Sequence, residues 1–170
     1  MLKLILTFGS ILVCCAVGFA QSDQSSQTNK KILFKANSEF SAQIESGLDA
    51  ETAKIGEDVN FKLTEDFKGE SETIVKDSEL YGRIVNVQKA SDDKSKTSLI
   101  SVMFDFVKKG DDFVSLTANI ISVEQSSDQI KFEPSPTFAG GTILSLKGKN
   151  IKIDKGVVFR IKLAKDITEK

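Results

Sequence analysis

Two stretches of this chain read alike: GEDVNFKLTED, Gly56–Asp66, and GVVFRIKLAKD, Gly156–Asp166. Aligned end to end they share the opening Gly, the inner Lys, the Leu after it and the closing Asp. Between these fixed points Val59, Phe61 and Leu63 alternate with polar residues, as do Phe159, Ile161 and Leu163. A period of two marks a strand with one face on a core and the other in water. Two strands with a common Gly start and Asp end suggest equivalent places in one closed or nearly closed sheet, either as neighbours or through an internal duplication. Closure is favoured because it removes exposed strand edges. Chance likeness between two amphipathic strands is the remaining alternative.

The same period recurs along the chain. Phe40, Ala42, Ile44, Ser46 and Leu48 share one face, Ile100, Val102, Phe104 and Phe106 another, and Val114, Leu116, Ala118 and Ile120 a third. Polar, turn-rich pieces separate them: residues 65–73, 90–96 and 109–112. Residues 49–56 have room for one helical turn. Residues 124–141 hold both prolines, Pro134 and Pro136, and the Gly140-Gly141 pair, which predicts a long loop with a short edge strand over 129–133. The expected fold is therefore all-β: a single antiparallel domain, barrel-like or sandwich-like, with little helix.

The first twenty residues, MLKLILTFGSILVCCAVGFA, combine a short basic head, an apolar run and a small-residue exit. That is the pattern of a secretory signal peptide cleaved after Ala20, followed by a polar leader over 21–30 and the β domain over 31–170. The alternative is a retained membrane anchor, but the run from Leu4 to Ala20 is a little short to span a bilayer and lacks flanking charge on its far side. After cleavage no stable membrane span is expected. Both cysteines, Cys14 and Cys15, fall inside this segment and there is no His. Ser–His and Cys–His nucleophile pairs and His/Cys zinc sites are thereby excluded from the mature chain, and no cofactor is expected. After loss of Lys3 the net charge becomes −2. This balance, without a basic block, argues against nucleic acid as a partner.

The carboxylate pairs Glu57/Asp58, Asp92/Asp93 and Asp111/Asp112 fit no calcium loop and sit where turns favour Asp. Ser91–Lys94 has a Ser-x-x-Lys spacing, but in a polar loop rather than at a helix start. The expected protein is non-catalytic.

Three stretches, GLDAETAKIGEDVNFKLTED (47–66), IVKDSELYGRIVNVQ (74–88) and SLISVMFDFVKKGDDFVSLTANI (98–120), together carry a family likeness. With the late IDKGVVFRIKLAKDI (153–167), they resemble the barrel domain of the periplasmic scaffold subunit of type IV secretion and conjugation systems. They also resemble small exported bacterial proteins that carry a similar module. The resemblance implies a barrel in the periplasm or cell envelope of a bacterium, with an envelope protein as partner. The expected function is an interaction or assembly module, with a periplasmic binding module for a small apolar ligand inside the barrel as the alternative. The contact surface is expected at Ile74, Lys76, Ser78 and Tyr81 in one turn-and-strand segment, and at Phe132, Pro134, Pro136 and Phe138 in the long loop.

Overall fold

The structure is a computed structural model that describes residues 30–90, 96–124 and 129–169. The expected signal segment, all but the last residue of the leader, and the Ser91–Lys94 spacing with its Asp92/Asp93 pair lie outside the described residues.

Fifteen strands are described. The first half of the chain gives β1 (Ile32–Phe34), β2 (Glu39–Ile44), β3 (Leu48–Asp49), β4 (Asp58–Leu63), β5 (Phe67–Lys68), β6 (Thr73–Ile74) and β7 (Glu79–Gln88). The second half gives β8 (Thr97–Lys109), β9 (Asp112–Ser115), β10 (Ala118–Val123), β11 (Lys131–Pro134), β12 (Gly141–Lys147), β13 (Lys152–Ile153), β14 (Val158–Leu163) and β15 (Ile167–Thr168). One antiparallel sheet runs β10-β14-β2-β4-β7-β8-β12-β11, with β9 added beside the end of β8. The short pairs β1–β15, β3–β13 and β5–β6 form three separate two-stranded sheets. The sheet curls until β10 approaches β11 and β12. At this seam the buried Ile120 N–H donates to Thr142 Oγ1 at 2.7 Å, so a side chain continues what the ladder leaves open. The fold is an all-β, nearly closed, barrel-like antiparallel sheet.

The twin stretches are β4 and β14, and they flank the same strand, β2, on its two sides. Their shared residues have shared structural causes. Gly56 and Gly156 take φ values of 88° and 93°, a left-handed conformation that costs Gly least. Asn37 at 68° and Asp77 at 65° hold the same place, two residues before β2 and β7. Each of these four turn residues donates its N–H to the third inward residue of the neighbouring strand, which donates back to the residue after the turn. Asn37 and Ser38 meet Leu163, Gly156 and Val157 meet Ile44, Gly56 and Glu57 meet Ile84, and Asp77 and Ser78 meet Leu63, all at 2.8–3.0 Å. The closing aspartates serve these turns. Asp166 accepts the Ala36 N–H at 2.7 Å and Asp66 accepts the Lys76 N–H at 2.8 Å, each just before a left-handed residue. The barrel thus contains one turn-and-strand unit four times, in two reciprocal couples: β2 with β14, and β4 with β7.

The alternation places Phe40, Ala42, Ile44, Val59, Phe61, Leu63, Phe159, Ile161 and Leu163 in the core. Phe61 meets Phe104 and Phe159 edge-on at centroid distances of 5.4 and 5.5 Å, so the interior is filled by side chains. Burial of each ring stabilises the fold by roughly 1.5–3 kcal/mol.

Four sequence expectations are corrected. Residues 49–56 form β3 and turns, and among the described residues there is no helix. Ser46 is not in the strand of Phe40, because the chain leaves β2 after Ile44 and Leu48 enters the core from β3. The run from Val114 to Ile120 is two strands, β9 on β8 and β10 on β14, joined through buried Leu116. Phe106 does not share the inward face of Phe104, because a β-bulge at Asp105 lies between them.

Candidate functional site

In the β7–β8 ladder Tyr81 pairs with Phe106 but Gly82 pairs with Phe104, so Asp105 is an extra residue on β8. A β-bulge re-aims the side chains beyond it. Phe104 is buried, Val107 is buried, and Phe106 turns to the outer face. The close approach is possible because position 82 is Gly: a Cβ there would lie 2.7 Å from the Met103 carbonyl oxygen.

The consequence is a three-ring patch on the outside of the barrel. Phe106 stands 4.8 Å from Tyr81 on β7 and 5.0 Å from Phe113 on β9, centroid to centroid. Phe113 is 53% exposed, unusual for a large apolar side chain at a strand centre. Charged pairs rim the rings: Arg83 with the bulged Asp105 at 2.6 Å, Lys108 with Glu79 at 3.8 Å, and Lys109 with Glu72 at 2.5 Å. The Tyr81 hydroxyl donates a short hydrogen bond to Glu79 Oε2. That bond holds the Glu79 carboxyl below its ordinary pKa and raises that of the phenol. Lys109 lowers the pKa of Glu72 in the same way, through a hydrogen bond and its charge.

β9 is also an edge. Among the described residues it pairs only with Phe106–Lys109 of β8, whose earlier part is covered by β12. Beyond it lies a groove of about 520 Å³, walled on the far side by β15 and floored by Leu33.

The predicted contact residues fall in two separate places. Lys76 is exposed and Ser78 half-buried in the left-handed turn before β7, lining a shallow cleft with Lys62, Glu79 and Lys108. Tyr81 joins this turn through Glu79 and belongs to the ring patch. Ile74 does not belong to any surface: it is 1% exposed and packs in the core from β6. The loop residues lie beyond β8 and β12, which separate them from β7. There the edge strand spans Lys131–Pro134 rather than 129–133, Phe132 is half-buried, and Pro134, Pro136 and Phe138 are exposed. The loop holds its own shape: Ser135 Oγ accepts the Phe138 N–H at 3.2 Å, and the Gly141 N–H donates to the Phe138 carbonyl at 2.9 Å.

Sequence reasoning missed Phe106 and Phe113. A signal for them existed. Counting outward from the two-residue Gly110-Asp111 turn sets Val107 opposite Val114 and Phe106 opposite Ser115, a phase that conflicts with an inward Phe104 and requires a bulge. Among the described residues no group of three or more His, Cys, Asp or Glu is placed to hold a metal ion.

No protein-family model matches the chain, and no curated protein matches it.

Proposed function

We propose that the protein is a non-catalytic interaction or assembly module of the bacterial cell envelope. It acts through the outer face and open edge of β7, β8 and β9. The observation that carries this reading is the Tyr81–Phe106–Phe113 patch beside an unpaired strand edge, with Phe113 53% exposed. Rigid aromatic anchors within a charged rim are the composition of protein contact surfaces. The filled interior supports contacts made outside the barrel rather than a ligand held within it. Likeness to the secretion-scaffold barrel supports the same reading, since one of the segments that carries it, 98–120, supplies Phe106 and Phe113.

Export and an envelope location belong to this proposal and are tested with it. A photo-cross-linking residue is placed at position 113, and as a control at Ile55, which is 68% exposed in the turn before β4. Irradiation of intact cells is expected to give one discrete adduct with an identified envelope protein from position 113 only. Equal adducts at both positions, or none at 113, would sink the reading.

A further inference from the structure

We infer that the open edge of β9 is a strand-addition site for an extended basic peptide segment of a partner, laid in the groove between β9 and β15. This inference rests on the interaction reading above and names its mode and partner chemistry.

Strand register sets which backbone groups of β9 are free. Lys109 and Asp112 flank a two-residue turn opened by Gly110 at φ 61°, so those two residues face each other across the hairpin. In an antiparallel pair the hydrogen-bonding direction alternates along each strand. Asp112 and Val114 therefore spend their backbone groups on β8, while those of Phe113 and Ser115 point into the groove. Among the described residues neither Phe113 nor Ser115 has a backbone partner outside the β8 ladder. Four residues offer about 13 Å of edge, enough for a short peptide strand. Such a strand receives main-chain hydrogen bonds from the edge and places alternate side chains against Phe113.

Charge selects the occupant. Four carboxylates, Glu72, Asp112, Asp166 and Glu169, and one ammonium, Lys109, line the groove, a lining charge of −3, and Lys31 acts on Glu72 from outside the lining. Glu72 is engaged by Lys109, and Asp166 by the Ala36 N–H. Among the described residues Asp112 and Glu169 have no ion-pair partner. An incoming strand with alternating apolar and Lys or Arg side chains meets the rings with one set and these two carboxylates with the other. A second copy of this chain, edge to edge, would bring acidic linings together and is disfavoured.

The test uses purified mature chain and two synthetic octapeptides with capped ends, one of alternating Lys and Val and one of alternating Glu and Val. Amide hydrogen exchange locates the contact, and Tyr81 fluorescence reads affinity. The Lys/Val peptide is expected to bind and slow exchange at Phe113 and Ser115. The D112N/E169Q variant, which alters exposed side chains outside the core, is expected to bind it about threefold to tenfold more weakly. Equal binding of the Glu/Val peptide, protection elsewhere, no binding, or edge-to-edge dimers in sedimentation would each overturn strand addition. A cross-link at position 113 in cells without peptide protection would overturn strand addition and leave the interaction reading standing. Protection without a cellular cross-link would support the edge as a peptide site and remove that reading.

Discussion

Tyr81 is the single tyrosine of the chain, and there is no tryptophan. Every phenolate signal and all the intrinsic emission beyond that of phenylalanine therefore report from the ring patch. Its hydroxyl donates to Glu79, which raises the phenol's pKa because the bonded proton is harder to remove. The E79Q variant should bring the absorbance titration of Tyr81 back toward the ordinary tyrosine value of about 10. An unchanged titration curve would mean that the bond does not persist in solution. The pair also gives stability a direction with pH. Glu79 has a lowered pKa, so its contribution is present above the ordinary carboxylate range and is lost as pH falls through the folded-state value. Tyr81 has a raised pKa, so its contribution is present below about pH 10 and is lost as pH rises through the folded-state value.

At the scale of the element, the repeated unit explains what was legible and what was not. Alternating apolar residues set β2, β4, β8, β10 and β14, because a half-buried strand writes its period directly into the sequence. The shared Gly and Asp of Gly56–Asp66 and Gly156–Asp166 were visible as identities, and their causes are the left-handed turn and the carboxylate that serves the next turn. Asn37 and Asp77 hold the same turn without a Gly, so half of the repeat was hidden from an identity search. The bulge at Asp105 was hidden for another reason: it shifts the phase within a continuous strand, and only the hairpin count from Gly110 exposes the conflict. Two predictions belong here. D66A and D166A should each lower unfolding free energy by roughly 0.5–1.5 kcal/mol in urea titrations, while leaving the m-value unchanged. Similar costs for both would confirm equivalent roles, and no cost for either would refute the capping account. G82A places a Cβ 2.7 Å from the Met103 carbonyl and 3.3 Å from the Phe104 ring, so it should destabilise by about 1–3 kcal/mol. It should also alter Tyr81 emission, because the bulge sets the position of Phe106 against Tyr81.

For the whole molecule, the question is what holds a curled sheet shut where its ladder ends. The strands from β14 to β12 are joined by continuous pairing, but β10 and β12 meet through a side chain, Thr142, whose hydroxyl accepts the buried Ile120 N–H at 2.7 Å. Thr142 is 1% exposed, so water does not replace this partner without opening the seam. Replacing Thr142 by Val keeps the shape and removes the acceptor, leaving a buried donor unsatisfied at a cost of about 1–3 kcal/mol. Replacing it by Ser keeps the hydroxyl and should cost less than that. The discriminating measurement is amide exchange at Ile120. In T142V exchange there should accelerate more than the global loss of stability explains, because the seam opens locally before the barrel unfolds. Acceleration matching the global loss alone would mean that the seam is held by the packing of Ala118, Ile120 and Leu144 rather than by the hydroxyl. The distinction bears on function, since β10 follows β9 through Leu116 and Thr117, and a seam that opens easily would loosen the edge on which a partner strand is proposed to add.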